Sequence, residues 1–305
     1  MKHCCERIFS GNCDEKAIRN MMSKRLVIVV FSGVSTVHGG EWRLIEQQLR
    51  QALSKGEFYL NYQPQYNNLD DQVEAFEALL RWKNPVLGVV GPASFIKVAE
   101  ATGLIVPIGE WVLRTACRFI KKIHQAGFLD CRITVNVSMR QFMEDNFVDR
   151  VLTILQEVGL VSGFLELELG ESLPQWSPDC LNAKLQLLRA RGVRIALDDF
   201  GTGYASLSCL NRMRVDTLKI DKSFIDGIAK YHQNVVLTKS IIGIGEQLGL
   251  KVVAEGVENV AQVNCLAQWG CHTIQGFFYC KPVAATEALL IMKAGLSRTV
   301  SLIQS

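Results

Sequence analysis

Two adjacent carboxylates, Asp198 and Asp199, follow the apolar run 195–197 and precede a segment with two glycines, 200–204. Neighbouring side chains on a strand point to opposite faces, so both acids can reach one site only where the backbone turns, as glycine allows. Two carboxylates that share a site repel each other unless a cation lies between them. Hard divalent cations such as Mg²⁺ and Mn²⁺ take oxygen ligands. The pair therefore favours a metal site, although an isolated pair could equally cap a helix or close a surface turn.

Further polar side chains interrupt other apolar, β-rich runs along the chain. Such residues are costly to bury unless they are paired or bound to a ligand. In a parallel barrel the carboxyl ends of the strands meet at one face and build the active site. Any one of these residues has an ordinary structural explanation, but surface patterning does not produce the whole set. We expect the following side chains to converge: Glu77, Asn136, Glu168, Asp198, Asp199, Lys219, Glu255 and Gln275.

The chemistry of this set points to phosphate. Five carboxylates and an amide oxygen provide enough ligands for two hard cations a few ångströms apart, an arrangement that clamps a phosphate and acidifies a water. The pattern predicts phosphodiester hydrolysis, with Lys219 orienting the water or neutralising the charge that grows on the phosphorane. Arg81 suits a non-bridging phosphate oxygen.

Short β-rich runs alternate with longer segments of helical periodicity from about residue 57 onward. This alternation predicts an α/β fold with right-handed crossovers, and eight units predict closure into a barrel. The polar turn 67–72 between the first two runs is too short for a parallel crossover, so one of these strands should be antiparallel to the rest. The expected strands are 58–64, 73–82, 132–138, 165–172, 194–200, 217–221, 251–257 and 273–278, and the expected helices include 111–123, 147–158, 181–189, 235–248 and 260–269.

Composition narrows the class of protein. A chain of 305 residues with 49% hydrophobic content suits one large domain. The net charge is +3 and the basic residues are dispersed, so we expect no duplex nucleic acid as a partner. The ten cysteines form no Cys-x-x-Cys pair, which is typical of a reducing cytosol. The longest strongly apolar run, 26–31, is far shorter than the ~20 residues of a membrane span. We therefore expect a cytoplasmic protein without a membrane span.

The first forty residues are expected to lie outside the main domain. Residues 24–30 read as a short buried strand, and residues 1–40 as an N-terminal extension or flexible arm. Gly39 and Gly40 are predicted to form a hinge into a helix over 41–53. The main domain is then expected to span residues 41–305.

Eight motifs occur in order along the chain, at residues 62–64, 77–82, 95–105, 135–138, 198–206, 219–224, 254–258 and 275–276. They include Glu-Ala-Leu-Leu-Arg-Trp at 77–82 and Lys-Ile-Asp-Lys-Ser-Phe at 219–224. Over roughly residues 41–290 the chain resembles the EAL-domain family of cyclic-di-GMP phosphodiesterases. The resemblance implies a modified TIM (β/α)8 barrel whose first strand is antiparallel to the others. It also implies hydrolysis of cyclic di-GMP to linear pGpG with two divalent cations, Mg²⁺ or Mn²⁺, and inhibition by Ca²⁺.

The resemblance further implies a role for each matching residue. One metal would be held by Glu77, Asn136, Glu168 and Asp198, and the second by Asp198, Asp199 and Glu255. The catalytic residues would be Lys219, Glu255 and Glu77. The substrate-binding residues would be Gln63, Leu80, Arg81, Gln275 and Pro282. Glu258 would anchor the loop after Asp199, which in the family links metal occupancy to the interface of a homodimer.

Three departures from the family pattern stand out: Gly170 in place of a threonine, Asn84 in place of a histidine, and Arg214 in place of a proline. Gly170 lacks a hydroxyl close to the ligand Glu168, which should weaken the order around it without removing it. Three other functions stay open at this point. The chain could be a catalytically silent cyclic-di-GMP receptor, a protein-interaction module that binds no nucleotide, or a hydrolase of other cyclic dinucleotides or small phosphodiesters.

Overall fold

The computed structural model describes residues 39–170, 178–201, 210 and 213–294. The chain divides into two compact units, Met1–Leu44 and Ile45–Ser305, and the second contains the sheet and the candidate site. The strand expected at 24–30 lies outside the described residues. Helix α1, Gly39–Ala52, begins two residues earlier than expected. The predicted hinge at Gly39 and Gly40 is wrong, because both glycines belong to the first turn of this helix.

Nine strands make up the described sheet. They are β1 Phe58–Asn67, β2 Gln72–Asn84, β3 Gly88–Val90, β4 Arg132–Val137, β5 Leu165–Gly170, β6 Arg194–Phe200, β7 Thr217–Ile220, β8 Lys251–Ala254 and β9 Thr273–Ile274. Eight of them close in the order β1-β2-β4-β5-β6-β7-β8-β9, and β9 returns to β1. Strand β1 is antiparallel to both neighbours, β2 and β9, whereas the other pairs around the barrel are parallel. The predicted modified barrel with an antiparallel first strand is confirmed.

Helices follow most of the parallel strands. The remaining described ones are α2 Pro92–Thr102, α3 Ile105–Gln125, α4 Met139–Met143, α5 Phe147–Val158, α6 Pro178–Ala190, α7 Lys222–Ile225, α8 His232–Gln247, α9 Val260–Gln268 and α10 Ala285–Ala294. Short β3, antiparallel to β2, and helix α2 were not among the expected elements. Gly91 precedes α2 without a side-chain cap, and the start signal that the sequence does carry there is Pro92 in the first turn. No helix within the described residues combines the length and the apolar character that a membrane span requires.

The last two strands are shorter than the sequence predicted. The expected strand 251–257 ends at Ala254 because Gly256 adopts a left-handed φ of 65° that turns the chain. The expected strand 273–278 ends at Ile274, and beyond it Tyr279 N donates to Gly276 O in a turn. Strand pairing therefore ends just before Glu255 and Gln275, which lie at the carboxyl end of the barrel.

Side chains alternate strictly between the two faces of each strand. In β5 the leucines lie on one face, and Glu166 and Glu168 lie on the other. Glu166, near the amino end, pairs with Arg194 at 3.1 Å and accepts a hydrogen bond from Thr217 Oγ1 at 2.9 Å. Glu168, two residues further along, pairs instead with Lys219. The barrel interior thus carries two stacked polar layers, one at each end of the same strands.

Asn84, which differs from the family pattern, has a structural role. It is 2% exposed, and its amide donates to Glu57 Oε2 at 2.8 Å. Its Oδ1 accepts from the backbone N–H groups of Val86 and Leu87, each at 2.9 Å. The same Glu57 oxygen accepts from Trp82 Nε1 at 2.9 Å. Asn84 therefore closes the turn after β2 and does not reach the carboxylate cluster.

Replacement of Gly276 tests the packing that positions the β9 end of the barrel. A Cβ at this position would lie 2.0 Å from Val257 O and 2.3 Å from Val257 N, both backbone atoms that cannot move aside. We expect Gly276→Ala to lower the free energy of unfolding by about 2 kcal/mol or more. Gly243→Ala in α8 is the matched control, since its Cβ would meet nothing within 4 Å, and it should raise stability by ~0.5–1 kcal/mol. Equal effects of the two substitutions in urea unfolding would contradict this packing.

Candidate active site

Four carboxylates surround one ammonium group at the carboxyl end of the barrel. Lys219 Nζ lies 2.5 Å from Glu255 Oε1, 2.8 Å from Glu168 Oε1, 3.4 Å from Asp198 Oδ1 and 3.9 Å from Glu77 Oε2. Lys219 and Glu168 are each 1% exposed, whereas Asp198 and Glu255 are only partly covered. The predicted convergence of strand-end side chains is therefore observed for these five residues. Their arrangement forms a pocket that is deep at Lys219 and open towards Asp198.

Parallel register explains why the five residues meet. Asn136 on β4 lies beside Glu168 on β5, and Gly170 lies beside Asp198 on β6. Lys219 occupies the neighbouring strand β7, and Glu255 directly follows β8 with its N–H donated to Ile220 O at 3.0 Å. Each strand thus contributes one polar side chain at nearly the same height.

Asp199 reaches the same site as Asp198 because the backbone turns between them. Asp199 has a φ of 55°, in the left-handed region that asparagine and aspartate tolerate better than most residues. The pairing of β6 with β7 shifts register between Leu197 and Phe200, and Asp199 N donates to Asp198 Oδ1 at 3.0 Å. Ligand oxygens of Asp198, Asp199 and Glu255 consequently lie within 4.8 Å of one another. The turn that the sequence required is present, and it brings three acids to the mouth of the pocket.

Glu77 is held by amides from two directions. Asn136 Nδ2 donates to Glu77 Oε1 at 2.6 Å, and Gln275 Nε2 donates to Glu77 Oε2. Gln275 Nε2 also lies 3.3 Å from Gln63 Oε1, and Gln63 Nε2 donates to Cys280 O at 3.1 Å. This chain of hydrogen bonds ties β1, β2, β4 and the segment after β9 to one carboxylate. Asn136, Gln275 and Gln63 are therefore all brought to the site.

Several oxygens in the pocket lack hydrogen-bond partners among the described residues. They are both carboxylate oxygens of Glu168, Oε1 of Glu255 and Oε1 of Gln275. Two of them, Glu168 Oε1 and Glu255 Oε1, are ion-paired with Lys219 Nζ at 2.8 and 2.5 Å. A buried polar atom without a partner is costly. Hard oxygen donors that a single ammonium group does not fully satisfy are suited to a divalent cation, so the residues present fit a metal site.

The charges in the pocket shift one another's protonation. Burial acts to raise the pKa of Glu77, but the Lys219 charge and the hydrogen bonds from Gln275 and Asn136 outweigh it, so the pKa is lowered. Burial raises the pKa of Glu255 to about 8, because the neighbouring charge of Asp198 offsets part of the attraction to Lys219. Without added cations, the pocket therefore retains protons that an ordinary glutamate has lost at neutral pH.

Burial and neighbouring charges also shift the pKa values of Glu168, Asp199 and Lys219. Burial raises the pKa of Glu168 well above its ordinary value, since the attraction of Lys219 does not compensate for it. Burial, together with the charges of Asp198 and Asp221, raises the pKa of Asp199 to about 6. Burial alone would lower the pKa of Lys219, yet the surrounding carboxylates raise it well above its ordinary value. Lys219 is therefore a permanent cation at physiological pH.

A second part of the site is a cavity of about 330 Å³ beside β2, lined by Leu80, Arg81, Asn136 and side chains of α2 and α3. Leu80 and Arg81 thus line a cavity that adjoins the acidic pocket, and their role in substrate binding stays a prediction. Alternation along β2 places Leu79, and not Leu80, on the same face as Glu77 and Arg81. Leu79 also lines the cavity and was missed, although a count of two residues from Glu77 would have identified it.

The remaining predicted residues lie further out. Pro282 O accepts from Asn61 Nδ2 at 3.4 Å, next to the isolated bridge between Tyr62 and Val283, so it lies beside β1 and not among the acids. Glu258 is exposed and pairs with Lys222 at 2.5 Å. The loop that Glu258 was expected to anchor includes residues 202–209, which lie outside the described residues. Gly170 has open space where a side chain would lie, and it pairs with Asp198 of the neighbouring strand.

Comparison with known proteins agrees with this geometry. Residues 46–282 match the family model of the EAL domain. The chain is 40% identical over 248 residues to cyclic di-GMP phosphodiesterase NbdA of Pseudomonas aeruginosa, covering 81% of this chain and 32% of NbdA. It is 42% identical over 241 residues to the bifunctional diguanylate cyclase/cyclic di-GMP phosphodiesterase MucR of the same organism, covering 79% of this chain and 35% of MucR. The chain thus spans about a third of the length of these two relatives.

Solved structures give the same result. A structure described as PaMucR phosphodiesterase in a c-di-GMP complex has a TM-score of 0.77 and 40% identity, covering 80% of this chain and 99% of that chain. The EAL domain of Mycobacterium smegmatis DcpA has a TM-score of 0.68 and 32% identity, covering 79% and 97%. The family match spans the whole barrel, from its first strand to the segment after its last. The chain therefore belongs to the EAL domain family.

Proposed function

We propose that this chain hydrolyses cyclic di-GMP to linear pGpG in a metal-dependent reaction and so acts as a phosphodiesterase. The observation that carries the proposal is the convergence of Glu77, Glu168, Asp198 and Glu255 around Lys219. Relatives that cover most of this chain are named cyclic di-GMP phosphodiesterases, and one similar structure is a c-di-GMP complex. The geometry of the site and the similarity to these relatives thus favour the same reaction.

The cofactors in this proposal are two divalent cations, Mg²⁺ or Mn²⁺, with Ca²⁺ as an inhibitor. One would be held by Glu77, Asn136, Glu168 and Asp198, and the other by Asp198, Asp199 and Glu255. Support comes from the oxygens of Glu168 and Glu255, which share the single ammonium group of Lys219, and from the closeness of the three acids at the mouth. When bound, such cations polarise a phosphate and lower the pKa of a coordinated water.

The protein side chains have separate tasks in the proposed reaction. Lys219 is a permanent cation, so it acts as a donor that orients water and stabilises negative charge on the phosphorane, and not as a base. Glu77 and Glu255 would hold the two cations beside the phosphate. Arg81 binds a non-bridging phosphate oxygen within the cavity beside β2, where Leu80 and Leu79 form apolar wall. Gln63, Gln275 and Pro282 complete the substrate side.

The wider organisation of the protein stays at the level of prediction. We retain the division into an N-terminal extension, residues 1–40, and an EAL phosphodiesterase domain, residues 41–305, because the family match starts at residue 46. The homodimer and the cytoplasmic location also stay predictions, as does the role of Glu258 as the anchor of the loop after Asp199.

Turnover by purified protein tests the proposal. With Mn²⁺ and cyclic di-GMP, we expect chromatography to show pGpG from the wild type. Lys219→Ala and Glu77→Ala should each lower kcat by roughly 100-fold or more, because the first removes the charge that would stabilise the phosphorane and the second removes a ligand of one cation. Asp149→Asn, which alters an exposed residue of α5, is the matched control and should leave kcat unaltered. Cyclic di-GMP binding without turnover in the wild type would instead support a silent receptor.

Metal binding should depend on pH in a defined direction. The pKa of Glu255 is raised to about 8 in the folded state from an ordinary 4.5, so the folded protein holds a proton that the unfolded chain releases between these values. The metal-free protein therefore loses stability as pH rises through this window. A cation must displace that proton, so saturation becomes easier at higher pH. At one subsaturating Mg²⁺ concentration, we expect a larger rise in Tm at about pH 8 than at about pH 6.

Differential scanning calorimetry measures this effect, and Glu255→Gln is the control. The variant lacks this titrating group, so the difference between the two pH values should shrink to the part that Glu168 and Asp199, whose pKa values are also raised, contribute. The same Mg²⁺-induced rise in Tm at both pH values in the wild type would contradict the assignment of Glu255 as a ligand.

A further inference from the structure

A second cavity, of about 630 Å³, lies at the amino ends of β6, β7 and β8, at the opposite end of the barrel from Lys219. Its lining includes Arg194 and Lys251, which begin β6 and β8, and Arg189 at the end of α6. Arg214 and Asp216, just before β7, complete its polar wall. The cavity is separate from the acidic pocket because these residues occupy the other ends of the same strands.

The acids near this cavity are already engaged. Asp216 accepts from Arg189 Nε at 3.3 Å, from Arg189 Nη2 at 3.0 Å and from Ile195 N at 2.9 Å. Behind the wall, Glu166 pairs with Arg194, and Glu74 pairs with Lys251. Four cations thus face three acids, which leaves one positive charge uncompensated.

That charge belongs to Arg214. Within the part of the chain that the structure describes, its guanidinium has neither an ion pair nor a hydrogen bond. Arg214 is exposed and has a φ of 46°, its N–H donates to Leu210 O at 3.3 Å, and the next residue, Val215, is 4% exposed. The guanidinium therefore lies at the exposed rim of the cavity.

We propose that this cavity binds a nucleoside monophosphate, independently of the proposed hydrolysis. Arginine presents a planar set of donors that matches a phosphate, and a phosphate monoester carries about −1.5 to −2 charges, enough to neutralise the one uncompensated positive charge. The volume lies in the range of small-ligand sites, roughly 300–1,000 Å³, and exceeds what a phosphate alone would fill. Val215, Leu248 and Leu250 supply apolar wall for the nucleoside. Polyphosphates fit less well, since their negative charge exceeds the one uncompensated positive charge by still more.

Calorimetric titration of the full chain with AMP in the presence of EDTA tests this proposal. EDTA removes metals that could hold a phosphate at the acidic pocket. We expect saturable binding of one AMP per chain, with adenosine and inorganic phosphate each at least tenfold weaker. Arg214→Asn should weaken AMP binding at least tenfold, and asparagine tolerates the left-handed backbone. Arg214→Lys, which keeps the charge without the planar donors, should lie between wild type and Arg214→Asn.

Two variants locate the effect. Arg118→Gln removes an exposed arginine on α3, and Arg81→Gln removes the phosphate ligand of the other cavity; both should bind AMP as the wild type does. The proposal is overturned by absence of saturable binding, by adenosine or phosphate binding as tightly as AMP, or by unchanged affinity in both Arg214 variants. Loss of binding in Arg118→Gln or Arg81→Gln would also overturn it, since the attraction would then be diffuse or located at the acidic pocket.

Discussion

One buried ammonium group, that of Lys219, allows four carboxylates to share the carboxyl end of this barrel. Charges removed from water are costly, and a buried acid without a counter-charge takes up a proton instead. Lys219 partly resolves this conflict, because Glu77 stays ionised while Glu168 and Glu255 have raised pKa values. The metal-free site is thus short of positive charge. That shortage is the physical reason for expecting cations here.

The barrel supplies this arrangement by repetition of a simple rule. Every second residue of a strand faces inward, and parallel neighbours in register place inward residues at equal heights. Glu166, Arg194 and Thr217 consequently pair at one end, while Glu168 and Lys219 pair two residues further along the same strands. The first layer stabilises the barrel, and the second faces the open mouth. Stability and chemistry are therefore separated along the strands.

Sequence reasoning succeeded where a local pattern has one physical explanation. Polar residues inside apolar runs identified the converging side chains, and the short connection 67–72 identified the antiparallel strand. The adjacent acids required a backbone turn, which Asp199 provides with its positive φ. The family resemblance added the roles of individual residues, which spacing alone did not assign.

Other features depend on contacts that no local pattern contains. Gly39 and Gly40 extend a helix instead of forming a hinge, and β8 ends early because Gly256 turns against Lys222. The cavity around Arg214 arises from residues distant in sequence that meet at the amino ends of three strands. Partial protonation of the acids also follows from burial and distance, which only the folded chain defines.

The stability of Lys219→Met with and without Mn²⁺ tests the central claim most directly. At about pH 8, where deprotonation of the acids is favoured, urea unfolding of the metal-free variant should show a loss of ~3–5 kcal/mol relative to the wild type, because the carboxylates lose their common counter-ion. Saturating Mn²⁺ should recover most of that loss by supplying the missing charge. A metal-free variant as stable as the wild type, or a loss that Mn²⁺ does not reduce, would contradict the account.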